Sequence, residues 1–238
     1  MWTGVVPLEE LNAAGRWTVA FFSTVTNSQA SVYPMKSLRE LVTESKSAVD
    51  PQGLTAESIN YLGLENVRSM TGELVEFEPR HPSQVKSRSK TYCEGDVLFG
   101  RLRPELNKVY LAEPHVSPGI CSNEFIVLTA RADLIHPRYL RYALASPYVA
   151  DFANKLRTGA SLPRMNSGDL LDLAIPVPPL DVQERLAGAL LRLDGVLRSL
   201  RIKVETLPSS ITDALSESLR TGSNELVPIC EALSELPE

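Results

Sequence analysis

Gly95-Asp96-Val97-Leu98-Phe99-Gly100-Arg101-Leu102-Arg103-Pro104-Glu105-Leu106-Asn107-Lys108-Val109-Tyr110-Leu111 opens on a Gly-Asp turn signal and runs into three consecutive apolar residues. It then presents two arginines, one residue apart, before a proline. Val97–Phe99 and Val109–Leu111 predict short strands, being apolar, β-branched or aromatic and bounded by turn residues. Pro104 disfavours a helical Arg103, so the connection is expected to be extended or turned. In an extended segment residues two apart point the same way, which places Arg101 and Arg103 on one face, with Asn107 and Lys108 close behind. Guanidinium, amide and ammonium groups on such a loop suit phosphate contacts and base-edge hydrogen bonds. The same charges also suit a plain solvated loop, so the surrounding chain has to separate the two.

At 238 residues the chain has material for one large domain, or for a domain with an appendage. With 43% hydrophobic and 22% charged residues and no low-complexity run, it is of globular type. No stretch approaches the ~20 consecutive apolar residues that cross a bilayer, and Met1-Trp-Thr-Gly lacks the basic start and apolar centre of a signal peptide. Cys93, Cys121 and Cys230 are odd in number and widely spaced, which fits incidental thiols in a reducing cytoplasm better than a disulfide framework or a zinc site.

The net charge of −5 is unevenly placed. From Pro208 to Glu238 six acids face Arg220 alone, so residues 1–207 balance to zero. Within them Arg80–Lys108 holds seven Lys and Arg against three acids, and Arg138–Arg164 five against Asp151, a net of +4 each. Attraction to phosphates acts over roughly a Debye length of ~8 Å, so two basic blocks in an acidic chain are compatible with a localised polyanion-binding surface.

Along the chain, Pro7–Ala14 suggests a short helix and Trp17–Val25 a strand. Pro34–Val42 predicts a short helix, Asp50–Gly53 a turn, Ile59–Val67 a strand and Thr71-Gly72 the turn after it. Residues 79–94 are polar and basic with almost no apolar periodicity, which predicts a mobile loop carrying Lys86, Arg88 and Lys90. Phe125–Leu128 reads as a buried strand. Pro137–Ala153 reads as a helix that Pro147 breaks in two. Leu156–Asn166 is a glycine-containing loop with Arg157 and Arg164 on either side of Gly159, a setting in which binding residues concentrate.

Asp181 is a candidate helix cap, with Glu184 at the capping-box position. From there Leu186, Leu190, Leu193, Leu197, Leu200, Val204 and Leu207 recur in steps of four and three, the heptad seam of a coiled coil. A helix over Val182–Leu207 would be ~39 Å long at ~1.5 Å per residue. A second helix, roughly Ser210–Arg220, is expected to fold back after Pro208.

No glycine-rich phosphate loop, dinucleotide fingerprint or H-E-x-x-H element is present. His81, His115 and His136 have no nucleophile or carboxylate at a recognisable spacing. These observations favour binding over catalysis.

Six segments taken in order carry a family resemblance: Tyr61–Val67, Gly95–Val109, Gly119–Leu128, Tyr139–Tyr142, Gly159–Arg164 and Ile175–Glu184. The sequence resembles, over roughly residues 35–205, the DNA target recognition domain of type I restriction–modification specificity subunits. Such subunits usually carry two such domains in tandem, each followed by a helix, and this sequence has one of each. The resemblance implies an α+β fold with a mixed β-sheet. Together with the seam and the charge distribution, the expected division is a target recognition domain over residues 1–179, a helical dimerisation arm over 180–221 and an acidic tail over 222–238. Of these, residues 1–34 and 222–238 lie outside the resemblance. The resemblance also implies sequence-specific binding to duplex DNA without catalysis or a cofactor of the chain's own. Lys86, Arg88, Arg101, Arg103, Asn107, Lys108, Arg157 and Arg164 are the expected DNA contacts. The implied partners are a methyltransferase subunit that uses S-adenosylmethionine, in complete systems an ATP-driven restriction subunit, and a second copy of the chain paired through the seam on a bipartite site. Two other readings stay open at this point: a protein-interaction scaffold built on the coiled coil, and an enzyme domain with an unrecognised nucleotide-modifying site.

Overall fold

The computed structural model describes residues 31–159 and 161–221. The helix expected over Pro7–Ala14, the strand over Trp17–Val25 and the acidic tail, residues 222–238, lie outside the described residues.

Ten strands form three sheets. β1 (Met35–Ser37) pairs with β10 (Ala174–Pro176). An antiparallel sheet runs in the order β2 (Val42–Ser45), β9 (Phe125–Ala130), β6 (Val97–Gly100), β7 (Val109–Leu111). A mixed sheet runs β3 (Ala48–Val49), β5 (Ser89–Tyr92), β8 (Gly119–Cys121), β4 (Tyr61–Leu62), with β4 and β8 parallel. Among the described residues five α-helices accompany them: α1 (Leu38–Leu41), α2 (Pro137–Leu144), α3 (Pro147–Leu156), α4 (Ser167–Leu171) and α5 (Leu180–Thr221). This is an α+β arrangement with mixed sheet and a long final helix, as expected.

The β6–β7 hairpin explains why the chain organises around it. Leu98 lies opposite Tyr110 on β7 and Val127 on β9, while Phe99 lies opposite Val109 and Ile126. Because side chains alternate across a strand, Val97, Phe99, Val109, Ile126 and Leu128 enter one core with Leu140 of α2 and Phe152 of α3. Leu98, Tyr110, Phe125 and Val127 enter a second core with Leu62 and Tyr92. A sheet with both faces covered needs apolar residues at every position, hence the unbroken runs Val97-Leu98-Phe99 and Phe125–Leu128. Each such side chain contributes roughly 1.5–3 kcal/mol on full burial. In the mixed sheet Gly119 allows close approach, since a Cβ there would collide with the Tyr92 hydroxyl and come within 2.7 Å of the Asn60 carbonyl.

Four local expectations are corrected. Pro34–Val42 is divided into β1, one helical turn and β2. Ser37 and Glu40 close that turn, the Ser37 N–H donating to the Glu40 carboxylate at 3.1 Å, and pairing with β10 and β9 overrides the helical spacing on either side. Within Ile59–Val67 only Tyr61–Leu62 is strand. The Asn66 carboxamide accepts from Gly63 N–H at 3.0 Å and donates to the carbonyl of Glu76 at 2.9 Å, curling Leu64–Asn66 into a 3-10 turn. Residues 79–94 are not a loop throughout, because Ser89–Tyr92 forms β5 between β3 and β8. Its register comes from main-chain pairing, which a polar sequence does not reveal. Finally, no fold-back occurs at Pro208: α5 is one helix of 42 residues, ~63 Å at ~1.5 Å per residue. A proline removes one intrahelical hydrogen bond, and the turns on either side keep the others.

The break at Pro147 is as expected. Ser146 caps α3, its hydroxyl accepting from Val149 N–H at 3.4 Å, and Pro147 occupies the first turn, where a missing N–H is harmless. Helix α5 begins at Leu180, so Asp181 is not its cap but lies in the first turn. There it suits the helix dipole and pairs with Arg185 at 2.7 Å. Two units are distinguished, one through Ala187 and one from Gly188 onward. Gln183, fully buried in the first, accepts from His136 N–H at 2.8 Å and donates to the carbonyls of Leu134 and Pro178, fixing the start of α5. Among the described residues no helix is long and apolar enough to cross a membrane.

Candidate nucleic-acid interface

The residues between β6 and β7 are not extended. Arg103 and Asn107 both adopt left-handed backbone conformations, at φ 49° and 45°, on either side of a 3-10 turn over Pro104–Leu106. Alternation along a strand therefore does not govern Arg101 and Arg103. The loop's shape comes from a second segment instead. Met165 N–H donates to the Arg101 carbonyl at 2.9 Å, and Arg103 N–H donates to the Pro163 carbonyl at 2.8 Å. Thr158 and Arg164 exchange backbone hydrogen bonds of 2.9 and 2.8 Å across the turn that contains Gly159, whose φ of +98° favours glycine. Leu102 and Arg164 complete the seam as a β-bridge. Two basic stretches some sixty positions apart thus become one surface.

Two carboxylates sit inside it. Glu105 meets Arg157 at 2.9 Å through one oxygen and Arg103 at 3.4 Å through the other. Burial raises the Glu105 carboxyl, but its own backbone N–H and the two guanidiniums outweigh that and hold it below the usual value. Glu124 grips Arg164 with bonds of 2.7 to 3.1 Å to Nε and Nη2, which raises the affinity of that guanidinium for its proton. The Glu124 carbonyl also accepts from Arg101 N–H at 2.8 Å. Arg101 keeps its Nε buried without a hydrogen-bond partner among the described residues.

The remaining expected contacts divide. Lys86 and Arg88 are exposed, and neither side chain pairs with another described residue. The Arg88 main chain is placed near the cluster by Asn123, which donates to the Arg88 carbonyl at 2.6 Å and directly precedes Glu124. Lys108 turns back, its ammonium donating to the Leu64 carbonyl at 2.7 Å, and burial lowers its proton affinity. Asn107 is 3% exposed and donates to the Ala145 carbonyl at 2.7 Å, so its amide fastens the loop to the end of α2 and is not presented to a ligand. Sequence reasoning had no way to separate these four. Spacing shows which polar groups lie near a turn, whereas facing in or out depends on a distant partner carbonyl.

Glu105, Glu124 and Lys90 were not singled out as site residues. Lys90 donates to the Phe125 carbonyl at 2.7 Å, and burial lowers its proton affinity. Lys90 and Glu105 lie within charged runs, whereas Glu124 stands alone between Glu113 and Arg131 and gives no such signal. The histidines have local tasks: His81 and His136 cap the turns that begin at Pro82 and Pro137. His115 lies 3.6 Å from Glu113. Among the described residues no group of His, Cys, Asp and Glu could hold a metal ion. Cys93 is exposed, while burial pushes the Cys121 thiol up to about 12.

On α5 the heptad residues stay in solvent. Leu186, Leu190, Leu193, Leu197 and Val204 are between 36% and 63% exposed, and Leu200 and Leu207 are half-buried. Straight α-helix drifts relative to a seven-residue repeat, so a sustained stripe of this spacing suits left-handed supercoiling with another helix.

No family model matches the sequence. Over 126 residues, 53% of this chain and 27% of the relative, it is 25% identical to the type I restriction enzyme EcoDI specificity subunit of Escherichia coli. The fold is similar to the crystal structure of an HsdS subunit from Thermoanaerobacter tengcongensis, with a TM-score of 0.63 and 24% identity, covering 78% of this chain and 48% of that one. A chain from a structure of an assembled type I restriction–modification system gives a TM-score of 0.64 at 22% identity, covering 82% of this chain and 50% of that one. The chain therefore spans about half the length of the solved structures it matches.

Proposed function

We propose that this chain, a partial-length relative of the type I restriction specificity subunits, reads duplex DNA sequence and brings a partner methyltransferase to the site. The observation that carries the reading is the convergence of Arg101 and Arg103 with Arg157 and Arg164 on the β6–β7 connection, with the Arg88 main chain bonded to Asn123 next to Glu124. A cluster of guanidiniums held by backbone seams is preorganised for phosphate and for the acceptor-rich edge of guanine. Arg101 and Arg103 are the proposed base or phosphate readers, Lys86, Arg88, Arg157 and Arg164 the phosphate contacts, and Asn107 and Lys108 the supports that hold the loop.

The chain itself is proposed to be non-catalytic, with methyl transfer and any ATP-driven cleavage supplied by partner subunits. The exposed heptad stripe supports pairing of two copies through α5, so that each copy contributes one half of a bipartite, palindromic site. The test is selection from a random duplex pool by the purified chain, followed by sequencing of the bound fraction. An inverted repeat recovered in a salt-dependent manner supports the reading; recovery of unenriched sequence defeats it.

A further inference from the structure

The arginine cluster is more heavily neutralised than a general phosphate-binding surface would be. A guanidinium offers five N–H donors. Arg164 directs Nε and Nη2 to Glu124 and Nη1 to the Leu162 carbonyl at 3.2 Å. Arg103 and Arg157, from the two distant segments, share Glu105. Three of the four arginines are therefore paired with two carboxylates, and both acids lie within the surface that DNA would have to cover. An isolated exposed ion pair is worth little to stability, so placing two of them here matters more for what the surface attracts than for how firmly it folds.

We propose that Glu105 and Glu124 are specificity-determining residues. They occupy guanidinium donors and repel phosphates, so the cluster grips an arbitrary DNA backbone weakly and engages fully only where base contacts offset the exchange. The inference rests on the DNA-reading function proposed above. Non-specific affinity comes almost entirely from counterion release, and each arginine matched to an internal carboxylate releases less. Correct bases add hydrogen bonds that the carboxylates do not cancel. Discrimination therefore rises even as total attraction falls, since specificity is a difference between two affinities. The bridging position of Glu105 also fixes the spacing between Arg103 and Arg157, so exchange at one guanidinium is felt at the other.

The test compares Glu105→Gln and Glu124→Gln with Glu105→Asp and Glu124→Asp in the full chain, on random duplex and on the duplex selected by the wild type. Gln keeps size and removes charge, whereas Asp keeps charge and alters reach. On random duplex each Gln variant is expected to bind several-fold more tightly at low salt, with a slope of log affinity against log salt steeper by about one. The ratio of selected to random affinity should fall. Each Asp variant should keep the wild-type slope. Gln variants with unchanged slope and random-duplex affinity, or Asp variants that shift as Gln variants do, would overturn the inference and leave the DNA reading standing. A wild type with no salt-dependent binding would defeat both. Circular dichroism reports the folded fraction, and should Glu124→Gln unfold, Glu105→Gln decides the question.

Discussion

The antiparallel sheet and helix α5 use the same residue types for opposite ends. Leu98 and Val127 are fully buried in the second core, whereas Leu193 and Leu197 in α5 are more than half exposed. A strand cannot satisfy its own backbone, so β6 exists only within a sheet, and its apolar side chains are covered in the act of pairing. A helix closes its own hydrogen bonds and can leave an apolar stripe uncovered. The sheet's hydrophobic pattern is answered within the chain, while the apolar stripe of α5 stays exposed among the described residues.

The largest expected effect breaks the sheet's side of this contrast. Phe99→Ala removes a ring 1% exposed at the centre of β6, and about 3–5 kcal/mol of stability should be lost in urea unfolding. On the helix side, Leu193→Asp combined with Leu197→Asp should abolish self-association in sedimentation. Chain unfolding should move by only about 0.5 kcal/mol, because neither side chain is buried. A large stability loss with self-association intact would reverse the contrast. Within the recognition surface, Arg103→Ala should cost about 1–3 kcal/mol on the selected duplex and relax preference at one base position. Lys86→Ala should weaken all sequences alike and lower the salt slope by about one. Asn107→Ala should differ from both. With its amide bonded to Ala145, it should destabilise the fold by about 1–3 kcal/mol and affect DNA binding only through the loop's order.

The legibility of the chain follows the same physics. Val97–Phe99, Val109–Leu111, Phe125–Leu128 and the broken helix at Pro147 were readable because their patterns answer to near neighbours. Strand β5 was not, because Ser89–Tyr92 is polar and its order comes from β3 and β8. The extent of α5 is not legible at Pro208, because one lost hydrogen bond does not stop a long helix. In the recognition surface the residue types were legible and their directions were not. Alternation places Arg101 and Arg103 together, yet the loop is held by left-handed turns and by hydrogen bonds to the Pro163 carbonyl and from the Met165 N–H.

The sequence by itself determined the strands Val97–Phe99 and Val109–Leu111, the apolar stripe of α5 and two basic blocks, since periodicity and local charge are properties of the chain, and the family resemblance supplied the α+β class. Only the tertiary structure decided that those blocks meet, that Glu105 and Glu124 stand among the arginines, and that Asn107 and Lys108 turn inward. Those outcomes depend on which carbonyl or carboxylate lies opposite each donor, and that is set by the packing of segments far apart in the chain.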